Sequence, residues 1–526
     1  MKWRLWVFIL GITFAYSSLV YNIYNLQVKK GSYYAARAAS RSQGVNFLNP
    51  ERGIIYFTDK NDNVIPAAMN KEYPTIFAVP KEIGDLDESV ESLRAIVGID
   101  KDKLKTMLSK PNDLYELLAT KASEEQVQKI RGLNMKGVYI ENENFRFYPF
   151  GALGAQLLGF IGQNEESSEL AGRYGLEFYY NRFLQTSHLY STIDRNIQAQ
   201  AEKILESVIK KYSAAGGTVI VQEPKTGKIL ALGNYPAFDP NNYSKSNLKN
   251  FVNPATQGIY EPGSVFKVIT MAAGIDSGKI TPNSTYYDSG SVTLNGKTIK
   301  NWDLKAHGTV TMANVIEQSI NTGAAFAARK TGLEDFHDYL VKFGFGEVTG
   351  IGLPGEIAGS INNLTANARE IDLATAAFGQ GVSVTPIELV NAISAIANNG
   401  ILMRPYLNQE TRPEEIGRVI SGETAKQVAA MMASAVKKAE IAQIPKYEVA
   451  GKTGTAQIPD FKHGGYSNEF IHSYVGFAPA SDPRFTILIK VDKPRGAPLA
   501  GTTVVPAFRE LAEFILNYYN IPPDNP

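Results

Sequence analysis

The sequence predicts an α+β fold in which one antiparallel sheet, built from both ends of a C-terminal domain, is flanked by helices. Three observations carry this. Two hairpin patterns, GGTVIVQEPKTGKILALGNYP at 216–236 and SYVGFAPASDPRFTILIKVDKP at 473–494, stand far apart in the chain. Long stretches of helical periodicity lie between them, and PAFRELAEFILNYY follows the second as an amphipathic helix. An uncharged run, Leu5–Tyr24, stands apart at the N-terminus.

The N-terminal run comes first. Its twenty or so apolar residues suffice to cross a bilayer as a helix. Lys2 and Arg4 precede it, which favours a cytoplasmic N-terminus. A cleaved signal peptide would have a shorter apolar core and a small-residue cleavage site, whereas bulky YNIYNLQVKKG follows here. Residues 1–24 therefore read as a cytoplasmic stub and single membrane anchor, with the rest of the chain outside the cytoplasm.

Residues 25–188 are mixed and polar. PTIFAVP reads as a strand, and SEEQVQKIRGL reads as a helix capped by Ser123 and ending near Gly132. From residue 189 the pattern tightens. STIDRNIQAQAEKILESVIKKY places Ile197, Ala201, Ile204, Val208 and Ile209 on one helical face. The domain so opened runs to 520, leaving 521–526 as a tail.

Composition narrows the function. At 526 residues the chain has room for two or three domains, and its 44% hydrophobic content is that of folded protein. A net charge of +1 offers no basic field for nucleic acid. Absence of cysteine excludes disulfides and thiolate nucleophiles. Five scattered histidines without His-Glu-x-x-His argue against a zinc hydrolase.

Short motifs then compete with their own copies. VAGKTGTAQ at 449–457 looks like the end of a phosphate-binding loop, but Lys446 occupies the place of the required first glycine. Ser-x-x-Lys occurs at Ser207, Ser246, Ser264 and Ser434. Lys-Thr-Gly occurs at Lys225, Lys330 and Lys452, and Ser-x-Asn at Ser319 and Ser360. Ser207 and Ser434 fall inside helical runs and are expected to face solvent; Ser246 falls in a polar loop. Ser264 follows Pro262-Gly263 and opens an apolar run that stops at Gly278, so it belongs at a helix start with Lys267 one turn on. A plain N-cap serine with a snorkelling lysine is the bland reading of that motif alone. Lys225 marks a hairpin tip and Lys330 a helix end, whereas Lys452 sits in an extended segment of small residues suited to an edge strand beside a ligand. Ser319 falls late in a helical pattern expected to break at Asn321-Thr322-Gly323.

The selected set, Ser264-Val-Phe-Lys267, Ser319-Ile-Asn321 and Lys452-Thr453-Gly454-Thr455, resembles that of penicillin-binding proteins and related β-lactamases in type, order and separation. RFYPFGALGAQLLGFIG, GLEFYYNRFL, EPGSVFK and FGQGVSVTPIELVNAISAIANNG resemble segments of the class B penicillin-binding proteins, so the likeness covers most of 45–515. RGIIYFTDKNDNV departs from the family pattern, which affects only a local N-terminal turn.

The resemblance implies a serine transpeptidase/β-lactamase-like domain at 189–520, an elongated non-catalytic pedestal or dimerisation-type domain at 25–188, and a single anchor helix. It implies a D,D-transpeptidase that cross-links peptidoglycan stem peptides ending in D-Ala-D-Ala, releases D-alanine, is acylated by β-lactams and needs no metal or organic cofactor. Ser264 would be the nucleophile, Lys267 its base, Ser319 a proton relay, Asn321 an orienting group and Lys452 a charge neighbour. Thr453, Gly454 and Thr455 would bind substrate, with the backbone N–H groups of Ser264 and Thr455 as oxyanion donors. A free lysine of pKa about 10.4 is neutral in only about one copy in a few thousand at pH 7, so the site must depress Lys267. A polytopic glycan polymerase is the implied partner, and a division-type role is favoured over elongation. The rivals are a carboxypeptidase or β-lactamase-like hydrolase, for which no deacylating glutamate stands out, and a non-enzymatic scaffold or β-lactam sensor, for which almost no cytoplasmic region is available. Glu334-Asp335-Phe336-His337 faintly resembles a glycosyltransferase motif but lies between transpeptidase motifs.

Overall fold

A computed structural model describes residues 2–31, 34, 51–111, 113–163, 170–460 and 462–524. Parts of the expected pedestal, the first residues of the family-like region at 45–50, and the last two residues of the expected tail lie outside this set. The chain divides into two compact units, each discontinuous. The smaller holds Met1–Arg52, Asn70–Phe147 and Gly162–Ala171, and the larger Gly53–Met69, Tyr148–Ile161 and Gly172–Pro526. A single cut at 188 follows chain order, whereas these units interleave. Ile55, Phe57, Leu157 and Leu158 are buried in the same core as Val265 and Ile269, which draws their segments into the larger unit.

Helix α1 (Lys2–Tyr24) exposes apolar side chains all round, and Trp6–Lys29 is long and apolar enough to cross a membrane. Strand β1 (Ile55–Thr58) pairs with the start of β2 (Val64–Ala78) within the larger unit. The end of β2 belongs to the smaller unit, where Ile76 pairs with Ala119 of β3 (Glu116–Ala119). There α2 (Leu86–Val97), α3 (Lys101–Leu108) and α4 (Glu124–Leu133) bury Val90, Leu93, Leu104, Val127 and Ile130 with Ile76. Ser123 caps α4 in a reciprocal box with Gln126, and the helix runs to Leu133, with Gly132 near its end as the sequence predicts and Asn134 as a left-handed C-cap (φ 43°). β4 (Val138–Phe147) pairs with β2.

In the larger unit β5 (Leu189–Asp194) runs parallel to β1. Asp194 then accepts from the N–H groups of Asn196 and Ile197, starting α5 (Arg195–Lys211). The predicted apolar face of α5 is buried. The two predicted hairpins form: β6 (Gly216–Gln222) with β7 (Ile229–Tyr235), and β9 (Tyr466–Ala478) with β10 (Phe485–Asp492). With β8 (Ala450–Pro459) they make one antiparallel sheet of order β8-β9-β10-β6-β7. Side-chain alternation along β10 sends Ile487, Ile489 and Val491 into one core and Leu488 into another.

The helices that complete the unit are α6 (Lys267–Asp276), α7 (Met312–Glu317), α8 (Asn321–Thr331), α9 (Pro386–Ala397), α10 (Gly422–Ala439) and α11 (Ala500–Tyr518). α5 and α11 share a core with Ile487 and Ile489; α6 and α9 share the other with Leu488. α9 is buried on every side. α11 contains Pro506, which removes the N–H that would bond Thr502 four residues earlier. Tyr212 OH donates to that carbonyl at 2.7 Å, so the proline is tolerated.

Phe508 of α11 is fully buried, its ring 4.6 Å from that of Tyr474. Phe508→Ala is expected to cost about 3–5 kcal/mol. The check is the urea unfolding midpoint, which should fall with an unchanged slope.

Candidate active site

Pro262 and Gly263 (φ +60°) turn the chain into a 3₁₀ turn, Gly263–Phe266, from which α6 continues at Lys267. Ser264 therefore sits in this tighter turn and not at the start of the α-helix itself, as the sequence suggested. The N–H of Lys267 bonds back to Ser264 O, an i to i+3 closure. Ser264 is half-buried and lines an open cleft of about 870 Å³ shared with Ser319, Asn321, Lys452, Thr453 and Thr455.

Lys267 is wholly buried. Its Nζ donates to Ser319 O at 2.5 Å and Asn321 Oδ1 at 2.8 Å, and stands 3.2 Å from Ser319 Oγ. Asn321 Nδ2 donates to Lys300 O at 2.9 Å, which turns the amide oxygen toward Lys267. Burial first, then the neighbouring Lys452 charge, holds Lys267 well below the usual lysine range. A neutral amine has two N–H groups and one lone pair. The two short contacts use the N–H groups, leaving the lone pair for a hydroxyl proton.

Ser319 lies between two helices. α7 ends at Glu317 and α8 begins at Asn321, so Asn321-Thr322-Gly323 form the first turn of a new helix and the break precedes them. Ser319 takes φ +58°, a costly conformation for serine that turns its carbonyl onto Lys267. Buried bonds around Asp288 and an exposed one from Trp302 set this geometry. Thr322 Oγ1 donates to Asp288 Oδ1 at 2.7 Å, Asn301 Nδ2 to Asp288 Oδ2 at 2.7 Å, and Trp302 Nε1 to Gln318 O at 3.0 Å. Asp288, Asn301 and Trp302 belong to no motif, and nothing in the sequence marks them.

Lys452 reaches the same serine from the edge strand β8. Its Nζ is 3.0 Å from Ser319 Oγ and 3.2 Å from Thr453 O. Burial lowers its pKa to about 7. Gly454 is fixed by close packing: a Cβ there would lie 2.4 Å from Ser473 Oγ and 2.8 Å from Pro262 O. The missing side chain thus lets β8 press against the turn that carries Ser264, and not only, as the sequence suggested, against a ligand. Thr453 and Thr455 face the cleft on either side of it.

The other motif copies stand elsewhere. Lys225 pairs with Asp482 at the hairpin tip, and Lys330 ends α8. Ser207 is exposed. Ser434 does not face solvent as expected; it is half-buried and donates to Glu317 Oε1 at 2.5 Å, because its face of α10 packs on α7.

Residues 217–513 match the penicillin binding protein transpeptidase domain, and residues 47–221 the penicillin-binding protein dimerisation domain. The chain is 33% identical to stage V sporulation protein D of Bacillus subtilis over 87% of its own length and 76% of that protein. It is 30% identical to the probable peptidoglycan D,D-transpeptidase PbpC of Pseudomonas aeruginosa, over 99% and 95%. Identity to peptidoglycan D,D-transpeptidase FtsI of Escherichia coli is 27%, over 100% and 93%. Among solved structures, penicillin-binding protein 2X of Streptococcus thermophilus superposes with a TM-score of 0.73 at 23% identity, covering 90% of this chain and 81% of that one. Penicillin-binding protein 3 of Mycobacterium tuberculosis, complexed with aztreonam, gives 0.70 at 26%, covering 90% and 98%. The domain matches, the near full-length relatives and the shared fold agree: the chain belongs to the class B penicillin-binding proteins.

Proposed function

We propose that the chain is a peptidoglycan D,D-transpeptidase working through a Ser264 acyl-enzyme, and that β-lactams acylate the same serine. The observation that carries this reading is the buried cluster of two lysine amines around Ser319, in the cleft that Ser264 lines. Neutral Lys267 takes the Ser264 proton as Oγ attacks the carbonyl of the penultimate D-alanine. The oxyanion is held by the N–H groups of Ser264 and Thr455. The C–N bond breaks, the leaving D-alanine nitrogen receives a proton from the lysine–serine network, and a serine ester remains. An acceptor amine then attacks the ester, gives up a proton, and Ser264 Oγ is protonated as it leaves. Protonated Lys452, with the hydroxyls of Thr453 and Thr455, holds the terminal carboxylate of the donor.

Transfer to an amine is favoured over hydrolysis by the near full-length likeness to proteins named D,D-transpeptidases. The helix Lys2–Tyr24 anchors the chain with its N-terminus in the cytoplasm and the catalytic unit on the outer face. A polytopic glycan polymerase docks on the region 25–188; purification of the tagged full chain in mild detergent without such a polymerase would count against this.

Three outcomes test the site. A labelled penicillin should modify the peptide holding Ser264, and Ser264→Ala should lose all labelling while staying folded; label on Ser207 or Ser434 would sink the assignment. Lys452→Ala should slow acylation roughly 100-fold or more, as for loss of one transition-state donor, whereas Lys225→Ala should leave it unchanged. Lys452→Arg should rescue poorly, since a planar fork does not replace a compact ammonium.

The pH profile of kcat/KM reports free-enzyme groups. Lys267 must be neutral, so acylation should rise with pH through its depressed pKa. Lys452 must be charged, so the rate should fall as pH passes about 7. A stopped-flow profile with no decline above neutrality would contradict that role for Lys452.

A further inference from the structure

Strand β9 places a histidine directly opposite Thr455 in the sheet register. His472 is fully buried. Its Nδ1 stands 2.9 Å from Thr503 Oγ1, and its Nε2 is buried without a hydrogen-bond partner among the described residues. Thr503 Oγ1 donates to Ala500 O at 3.2 Å. A threonine hydroxyl has one proton to give, so it accepts from His472, which fixes the Nδ1–H tautomer. Burial lowers the imidazole pKa to about 4, so near pH 7 the ring is neutral and donates through Nδ1 alone.

Ala500 and Thr503 form the first turn of α11. The cap position holds Leu499, which makes no side-chain cap bond. A helix start leaves four N–H groups without intrahelical partners. One of them, Ala500 N–H, is taken across the fold by Thr455 Oγ1 at 3.2 Å. Thr455 thus acts as the missing cap. Accepting from α11 also sets its polarity: one lone pair is committed to the helix, and the hydroxyl proton is free to point into the cleft that Thr455 lines.

The geometry points to His472 as a positioning residue: by clamping Thr503 and the first turn of α11, it holds Thr455 as a hydroxyl donor to the carboxylate of the incoming substrate or β-lactam. This rests on the reading of the cleft as the transpeptidase site. His472 does not touch substrate; it acts through Thr503, Ala500 and Thr455. A histidine that only filled space would leave recognition of the carboxylate untouched.

The test compares acylation of the full chain in detergent by benzylpenicillin and by its methyl ester, which lacks the carboxylate charge. In His472→Leu, acylation by the acid should fall about tenfold, the worth of one hydrogen bond to a charged group, while the ester rate stays within about twofold. The acid-to-ester ratio therefore falls. His472→Asn carries a donor amide close to the position of Nδ1 and should restore the ratio. Thr503→Val should reproduce His472→Leu by a route that leaves the histidine in place, so a misfolded leucine variant does not decide the matter. Equal slowing of acid and ester in both His472→Leu and Thr503→Val, or an unchanged ratio in Thr503→Val, overturns the inference. A wild-type chain not acylated at Ser264 would instead remove the functional reading beneath it.

Discussion

Two lysine amines meet at one serine hydroxyl, out of water, and the surrounding architecture serves that meeting. Lys267 Nζ and Lys452 Nζ stand 3.2 Å and 3.0 Å from Ser319 Oγ, and both side chains are buried. Two charged ammonium groups so placed would repel each other with little solvent to screen them. The strain is relieved by losing a proton, and the proton lost is the one on Lys267, which burial and Lys452 both disfavour. For Lys452 the fall from 10.5 to about 7 corresponds, at about 1.4 kcal/mol per tenfold change in protonation, to roughly 5 kcal/mol against charging the amine. The sign of the linkage follows. A lysine depressed in the fold binds fewer protons there than in the unfolded chain, so its cost is fully present below about pH 7 and relieved as pH rises toward 10. Holding these amines out of water is therefore a cost that the rest of the fold must offset.

Such a cluster needs a rigid frame. Lys267 comes from a helix beneath the sheet, Ser319 from a break between helices, and Lys452 from an edge strand. Gly454 lets the strand approach the turn of Ser264, and the buried Asp288–Thr322–Asn301 network fixes the start of α8. The positive φ of Ser319 is held by this frame, since an isolated serine would relax out of it. Preorganisation of this kind is how a site stabilises developing charge without rearranging during the reaction.

Much of the site is legible in the sequence because its chemistry is local. Ser264 and Lys267 sit one turn apart, and Lys452-Thr453-Gly454-Thr455 is a single run on one strand. The two hairpins and the apolar face of α5 are equally plain, since their periods register which side is buried. What was not legible depends on partners far along the chain. The break at Gln318 to Ile320 was expected three residues later, because helical periodicity resumes at Asn321 without a change of composition. Ser434 looked like a solvent-facing residue until α7 brought Glu317 to it. Gly454 read as room for a ligand, and its contact with Pro262 is a tertiary fact. The capping of α11 by Thr455 joins residues that no pattern connects.

The sheet order has a consequence for how such a chain is made. β10 lies between β9 and β6, so the central pairing joins segments separated by more than half the unit, and the edge strand that bears Lys452 is reached only through β9. Local helices form early in synthesis, but this pairing must wait for loop closure over a long contour. Ser264 and Lys267 emerge well before Lys452, and Lys267 then lacks the neighbour that helps hold it neutral. In a chain still emerging the depression of Lys267 is incomplete, because both the burial and the neighbouring charge that cause it come with the finished fold. The depressed amine of Lys267 thus belongs to the assembled sheet and not to the segment that carries it.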